Sequence, residues 1–435
     1  MQVSFWKKLL AFYIIVFLIV PSLYQSIAKT TKPSENDYRL HFIYNDQELD
    51  LLHGEIAFYI VALKNVNSFN ITYSVPPNYE DQAPIFLELR NDTSAKIIDY
   101  SIRNDTNCPN KVIKFIIESM DLYETSFIHF DFWVLVKNNM FSDLPEYVEI
   151  PEKDTLPEET KTWLESTKAI QSNNIGIKLK VYQLQGMDNN LITYADKIVN
   201  YTSSHKLRGF FWLLANSLSP NRNGWAKYLD AVSSLFFGGS CTGRANLGTA
   251  LFRANDIPAK NLLVMPTWSK DFWFDMHYIC EYYCPSYGWV LSETTLGWTP
   301  YQPKNIIILR VNYPEDENEA GNRFYNYGGC EQWFWVGQKN IQVYWTHNGS
   351  GANAWIEQEI ITDQQNANSA LNITHDVYEL YVKYQDAKLA GENLLHFNNA
   401  ILAQKNAIEC FIDMNFGGYL NNITVAFNEY QEINN

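Results

Sequence analysis

A glycine loop that leads into a helix constrains this chain more than any other stretch. The loop Gly238-Gly239-Ser240 ends at Cys241. Apolar or small residues then recur at the spacing of one buried helix face, at Leu247, Ala250, Leu251 and Ala254. The pattern predicts a helix with Cys241 in its first turn. There, unpaired N–H groups and the positive end of the helix dipole favour a thiolate, so Cys241 is a candidate nucleophile.

A cysteine nucleophile needs a base, and the base needs a group that orients it. Residues 276–284 are rich in aromatic and β-branched side chains and predict a strand, as do residues 289–295 after a turn. His277 and Glu293 therefore fall on neighbouring strands of one predicted hairpin. Each residue alone is typical of an ordinary core or surface position. In this order, Cys241, His277 and Glu293 are interpreted as nucleophile, base and orienting carboxylate.

These segments resemble the transglutaminase-like superfamily, whose members share a papain-like core. The resemblance rests on Gly239-Ser240-Cys241 opening a helix, on residues 253–260 after it, and on the His-led strand with its Tyr-Gly-Trp-Val turn and acidic-Thr segment. It covers about a quarter of the chain, from Asp188 to Pro300. The resemblance implies an α+β catalytic core in which a nucleophile helix packs against an antiparallel sheet.

Two residues depart from the pattern of the superfamily. Glu293 stands where the family usually has Asp, and the extra methylene moves the carboxylate by about a bond length, a shift to which catalytic orientation is sensitive. Asp256 stands where the family usually has Gly. Aspartate tolerates the left-handed backbone conformation better than most residues do.

The resemblance implies acyl transfer through a thioester without a metal or cofactor. The superfamily includes proteases, peptide N-glycanases and crosslinking transglutaminases, and its fold alone does not decide among them. We favour hydrolysis of peptide or carboxamide bonds, because no amine-acceptor feature is evident and water is abundant outside the cell. The alternatives are a protein-crosslinking transglutaminase and a catalytically inactive binding module. The N–H of Cys241 is the expected oxyanion donor.

The N-terminal segment predicts export. Lys7 and Lys8 precede the apolar run 9–20, and Ser26 and Ala28 supply small residues for cleavage, which describes a signal peptide over 1–28. The run is short for a membrane span, although an uncleaved anchor is the alternative. We therefore expect a secreted or cell-surface protein that is free of the membrane after cleavage.

The charge of the chain argues against nucleic-acid partners. Removing residues 1–28 takes away two lysines and no acidic residue, so the formal net charge falls from −15 to −17. Such a chain repels polyanions and anionic lipid surfaces, and the expected partner is a peptide or protein substrate. The oligomeric state is not predicted. An exported chain would also be a candidate glycoprotein, with acceptor motifs at Asn70, Asn91, Asn104, Asn200, Asn348, Asn372 and Asn422.

The remaining five cysteines cannot all pair with one another. Because side chains alternate along a strand, we expect Cys280 and Cys284 to point away from the active centre, on the face opposite His277. Pairing of either with Cys330 is one possible disulfide. A zinc site formed by His277, Cys280 and Cys284 is disfavoured, since it would need ligands from both faces.

The flanking segments predict further domains. About seven short strand-like runs between residues 38 and 137 predict a β-sandwich domain over 29–143, followed by an acidic, Pro-rich linker over 144–157. The catalytic core is assigned to 158–352, with a helix after Asp188 beneath the nucleophile helix and a hairpin over 332–345. Apolar residues at helix spacing with a break near Gly391 predict a C-terminal helical hairpin over 353–435.

Overall fold

Six antiparallel strands form the first part of the chain that the structure describes. In this computed structural model, the description covers residues 46–106, 109–138, 144–204, 229–268, 276–285, 287–318, 335–338, 340–345 and 352–433. The predicted signal peptide, Cys108 and Cys330 lie outside these residues, as does any disulfide to Cys330. The strands are β1 (Asp46–Ala62), β2 (Phe69–Val75), β3 (Gln82–Leu89), β4 (Ile97–Asn104), β5 (Lys111–Ile117) and β6 (Thr125–Asn138).

These strands form two antiparallel sheets that pack face to face. One sheet contains β1, β6 and β3, and the other contains β2, β5 and β4. Their inner faces meet through aromatic side chains, since the ring centroids of Phe115 and Phe130 lie 5.8 Å apart and those of Tyr73 and Phe130 lie 6.4 Å apart. Burial of these rings on alternate positions of each strand gives the two sheets a common core.

Five α-helices follow within the described residues 144–204 and 229–268. They are α1 (Glu158–Lys161), α2 (Ile175–Gln185), α3 (Leu191–Ser203), α4 (Ala231–Phe237) and α5 (Cys241–Arg253). The side chains of Asn174, Asn190 and Asp230 accept backbone N–H groups at the N-termini of α2, α3 and α4. The helix expected after Asp188 is α3, which buries Leu191, Ala195, Ile198, Val199 and Thr202. It contacts α5, because the Tyr194 hydroxyl donates to the Leu251 carbonyl at 3.3 Å.

A third antiparallel sheet supports α5. It comprises β7 (Ala259–Pro266), β8 (His277–Cys284), β9 (Gly288–Ser292) and β10 (Ile306–Val311), in the order β10-β7-β8-β9. The short helix α6 (Pro314–Asn318) follows β10. The described chain is therefore α+β, with antiparallel sheets and helices.

The face of β8 that carries Cys280 corrects one expectation. This face does not point away from the nucleophile helix. The Tyr282 ring stacks on Phe252 of α5 with centroids 4.8 Å apart, and the Cys280 Sγ lies 3.6 Å from where a β-carbon on Gly248 of α5 would stand. Strand alternation correctly predicts that Cys280 and Tyr282 share one face of β8. Which face of β8 is covered by α5 depends on tertiary packing.

Two amide side chains connect the first sheets to β10. Gln82 donates to the carbonyl of Ile308 at 3.0 Å and accepts its N–H at 2.7 Å. Asn110 donates to the carbonyl of Val311 at 2.7 Å and accepts its N–H at 2.8 Å. These bonds satisfy backbone groups of an edge strand that would otherwise lack partners.

Strands from the C-terminal part of the chain complete the first two sheets. They are β11 (Trp335–Val336), β12 (Ile341–Trp345) and β13 (Ala352–Asp363). β11 pairs with β2, whereas β12 and β13 pair with β1. The hairpin expected over 332–345 is therefore wrong for its described residues, because β11 and β12 belong to different sheets.

The C-terminal region contains three helices where two were expected. They are α7 (Gln364–Gln385), α8 (Gly391–Ile412) and α9 (Phe416–Gln431). Gly417 and Gly418 lie in the first turn of α9 and weaken its sequence pattern, although the Asn415 side chain accepts the Gly418 N–H there. Residues Gln47–Asn435 form one compact unit. The boundaries expected from the sequence at residues 143, 157 and 352 stay predictions. None of the described helices is both long and apolar enough to span a bilayer.

The C-terminal end of α5 is held by a buried ion pair. Both guanidinium Nη atoms of Arg253 lie 2.8 Å from the Glu317 carboxylate of α6, and both side chains have no exposed surface. Arg253 also donates to the carbonyls of Glu165 and Ala259, each at 2.8 Å. This network fixes α5 against α6 and β7.

Replacing Arg253 by methionine should lower the free energy of unfolding by about 3–5 kcal/mol, because Glu317 would remain buried without a cation. Urea unfolding followed by fluorescence measures the change. Lys405→Met removes a half-exposed pair with Glu88 and should change stability far less. Equal effects of the two substitutions would contradict this account of the buried pair.

Candidate active site

The conformation of the backbone before α5 places Cys241 in the first turn of the helix. After α4 ends at Phe237, Gly238 takes a positive φ of 72° and Ser240 is extended. The first intrahelical hydrogen bond runs from the Arg244 N–H to the Ser240 carbonyl at 3.0 Å. The N–H groups of residues 241–243 therefore have no partner within the helix. The Cys241 thiol is half-buried and forms no disulfide.

His277 lies at the start of β8 and contacts both other members of the predicted triad. Its side chain is hydrogen-bonded to the Cys241 thiol and, through Nε2, to Oε2 of Glu293. Because Nε2 is engaged by Glu293, Nδ1 is the ring nitrogen left for Cys241. The imidazole is only 7% exposed. The Trp268 ring packs edge-on against it, with centroids 6.1 Å apart.

Glu293 follows β9 and is fully buried. While Oε2 contacts His277, Oε1 accepts the N–H of Thr295 at 2.6 Å and that of Leu296 at 3.3 Å. The backbone of Glu293 also exchanges two hydrogen bonds with Trp298, which closes the turn. The Glu293 side chain thus reaches His277 with one carboxylate oxygen and the N–H groups of its own turn with the other.

The electrostatics favour a thiolate–imidazolium pair. Burial alone lowers the pKa of His277, but the Glu293 carboxylate and the bond with Cys241 outweigh it and raise the pKa to about 10. Burial alone raises the pKa of Cys241, but the His277 bond and charge and the Tyr278 N–H lower it below its ordinary value of 9.0. Between these two pKa values, sulfur is negative and the imidazole is positive.

Arg244 is a part of the site that the sequence analysis missed. From the first turn of α5 its guanidinium donates to the carbonyl of Gly239 at 3.1 Å, of Ser203 at 3.3 Å and of Thr295 at 3.1 Å. One side chain therefore joins the glycine loop, α3 and the turn that holds Glu293. Its position three residues after Cys241, one helical turn along, is the sequence signal that would have indicated it.

A buried polar network sets α5 against β7. The Asn246 side chain donates to the Leu229 carbonyl at 2.7 Å and accepts from Asn261 of β7 at 2.6 Å. The Thr249 hydroxyl donates to the same Asn261 at 2.5 Å. Because each member is satisfied, the network fixes the rotation of the helix that carries Cys241.

If Cys241 is the nucleophile, replacing Gly239 by alanine should lower kcat/KM by about 10-fold, less than the roughly 10²-fold that a displacement of about 1 Å costs. A β-carbon there would stand 2.8 Å from the Ser234 Oγ of α4 and 3.0 Å from the Cα of Gly243, so α4 or the first turn of α5 must shift by a few tenths of an ångström. Steady-state kinetics on a peptide amide measures the loss. Gly417→Ala, whose nearest neighbour lies 3.9 Å away, is the matched control and should leave kcat/KM unchanged. Unchanged kinetics of the Gly239 variant would contradict the close packing.

Groups that would suit a metal ion lie away from the triad. In the described part of the chain, two clusters of histidine and acidic side chains are close enough to share an ion, and neither includes Cys241, His277 or Glu293. Cys280 is also buried, which raises the pKa of its thiol and keeps it neutral. The triad residues can act without a metal, through proton transfer and nucleophilic attack.

Fold and site together define an α+β protein in which a cysteine, a histidine and a glutamate meet at a helix N-terminus. No protein-family model and no curated protein matches the sequence. Among solved structures, the chain is similar to a protein from Cytophaga hutchinsonii described as a "putative cysteine protease". The TM-score is 0.45 and the identity 15%, over 72% of this chain and 98% of that one. A likeness this distant carries no weight for function.

Proposed function

We propose that this protein is a cysteine-dependent acyl hydrolase of the transglutaminase-like type that cleaves peptide or carboxamide bonds. The observation that supports it is the continuous hydrogen-bonded chain from the Cys241 thiol through His277 to Glu293. The position of the sulfur at the N-terminus of α5, which packs against an antiparallel sheet, supports the same assignment.

The first half-reaction forms a thioester. The Cys241 thiolate attacks the carbonyl carbon, and the C=O electron pair moves onto oxygen to give a tetrahedral intermediate. The N–H groups that open α5, that of Cys241 first, would stabilise this oxyanion, because the helix itself does not use them. As the C–N bond breaks, the His277 imidazolium gives its proton to the leaving amine. Glu293 holds the ring in place throughout.

The second half-reaction releases the acyl group. Neutral His277 takes a proton from water, the hydroxide attacks the thioester, and the C–S bond breaks to regenerate the Cys241 thiolate. The products are a carboxylic acid and the enzyme with an imidazolium again at His277. Transfer to a lysine amine in place of water would make the protein a crosslinking transglutaminase.

Product analysis separates the candidate functions. The purified protein is incubated with a casein digest and a labelled primary amine, and mass spectrometry scores new peptide termini and incorporated label. We expect new termini, and none after alkylation of Cys241. Label incorporation without cleavage would show that the protein is a crosslinking transglutaminase and not a hydrolase. Absence of new termini, of hydrolysed side-chain carboxamides and of incorporated label would favour the inactive binding module.

We further propose that this activity is exported. The proposal rests on the N-terminal sequence pattern of residues 1–28. Mature protein recovered from the medium should begin at Lys29. Retention of residues 1–28 on membrane-bound protein would favour the uncleaved anchor.

A further inference from the structure

An acidic cluster lies at the surface of the first sheet, away from the triad. Glu48 and Asp50 belong to β1, and Glu359 belongs to β13, which pairs with β1. One carboxylate oxygen from each residue lies within 4.8 Å of the others. Glu48 and Asp50 are two residues apart and so share one face of the strand.

Asp50 forms the floor of this cluster and lacks a partner. Its side chain is fully buried, and among the described residues neither carboxylate oxygen has a hydrogen-bond partner. Burial of an unpaired carboxylate is costly, and such groups are normally paired or bound to a metal.

The rim of the cluster is open and only partly neutralised. The side chains of Glu48 and Glu359 are 22% and 49% exposed. Lys304 Nζ lies 3.0 Å from Glu48 Oε1 and 3.4 Å from Glu359 Oε1, and Asn138 donates to the other Glu48 oxygen at 2.6 Å. One ammonium group on the rim thus faces three carboxylates, and it forms no ion pair with the Asp50 floor among the described contacts.

The second acidic cluster of the described residues differs in this respect. There, Arg90 Nη1 lies 2.9 Å from Glu55 and 3.3 Å from Asp131, and His53 Nε2 lies 3.2 Å from Asp131. The buried carboxylate of that cluster, Asp131, is thus paired through Oδ2 with both Arg90 and His53, whereas neither oxygen of Asp50 has a hydrogen-bond partner among the described residues. We therefore assign no ion to that cluster.

We propose that Glu48, Asp50 and Glu359 bind one Ca²⁺ ion. Calcium takes oxygen ligands at about 2.3–2.6 Å in flexible geometry and completes its shell with water, which suits carboxylates that share a buried floor and an open rim. An ion here would supply the missing partner of Asp50. It would also join β1 to β13 just before the chain enters α7.

Isothermal titration of the full chain with CaCl₂ tests this proposal. We expect one ion per chain with a Kd of about 0.1–1 mM, the range typical of extracellular calcium modules, and a higher thermal unfolding midpoint at saturating CaCl₂. Asp50→Asn and Glu359→Gln should each weaken binding at least about 10-fold, because each removes a charged ligand. Glu359 lies on the exposed rim, so its substitution leaves the folded core intact.

The matched control is Glu357→Gln, which makes the same chemical change two residues away on β13 and should bind Ca²⁺ as the unmodified chain does. Absence of binding heat and of a midpoint shift at about 10 mM CaCl₂ would overturn the proposal. Asp50→Asn and Glu359→Gln variants that bind Ca²⁺ as tightly as the unmodified chain would overturn it as well. A response to MgCl₂ as strong as that to CaCl₂ would overturn the assignment to calcium.

Discussion

Replacement of Cys241 by alanine is expected to lower kcat on peptide or carboxamide substrates by at least about 10⁴-fold, because in the proposed mechanism the sulfur is the atom that forms the thioester. His277→Ala should cost a similar factor, since neither residue of a hydrogen-bonded pair works without the other. Initial rates of product formation by purified variants measure the effect.

The control for this loss is Cys410→Ala. Cys410 is also a half-buried free cysteine, but it lies in α8 and contacts the Asn422 amide at 3.6 Å. Its variant should keep full activity. A folded Cys241 variant that turns over substrate at the original rate would show that another group is the nucleophile.

Replacement of Glu293 by glutamine is expected to lower kcat by about 10³–10⁴-fold, as happens when the carboxylate of a triad becomes an amide. The amide removes the charge that raises the pKa of His277, and its NH₂ group can present a donor to the ring nitrogen. The imidazole then loses its positive charge at a lower pH. Cys241 loses the His277 charge that lowers its pKa, which is a larger effect than loss of the Glu293 charge that raises it. The pH dependence of kcat/KM measures both effects.

Glu293→Asp separates charge from position. Aspartate keeps the carboxylate but shortens the side chain, so the contact with His277 should open and kcat should fall by about 10²-fold. Activity of the aspartate variant should therefore lie between that of the parent protein and that of the glutamine variant. A glutamine variant with unchanged kcat and pH profile would remove Glu293 from the mechanism.

The candidate site was largely predictable because its parts are local in sequence. The glycine loop and the apolar spacing after it determine where α5 begins, and the turn between β8 and β9 brings the strand of His277 next to that of Glu293. Asp256, which replaces the usual glycine, takes the left-handed backbone with a φ of 57°, as its residue type permits.

What the sequence did not predict depends on contacts between distant segments. Period-two alternation shows that Tyr282 and Cys280 share a face of β8, but tertiary packing places α5 on that face. The pairing of β12 and β13 with β1 joins residues nearly 300 positions apart, which no local pattern encodes. Arg244 has a local signal, its position one helical turn after Cys241, but two of its three carbonyl partners come from α3 and the turn after Glu293, which the sequence does not bring together.

The central claim is that Cys241 is a thiolate paired with a positively charged His277. The most direct test is the rate of Cys241 alkylation by iodoacetamide as a function of pH, with each cysteine followed by mass spectrometry. We expect the rate to reach half its maximum at a pH below the ordinary thiol value of 9.0, and this midpoint to rise in the Glu293→Gln and His277→Ala variants. A midpoint at or above 9.0 that neither substitution moves would contradict the ion pair and the mechanism built on it.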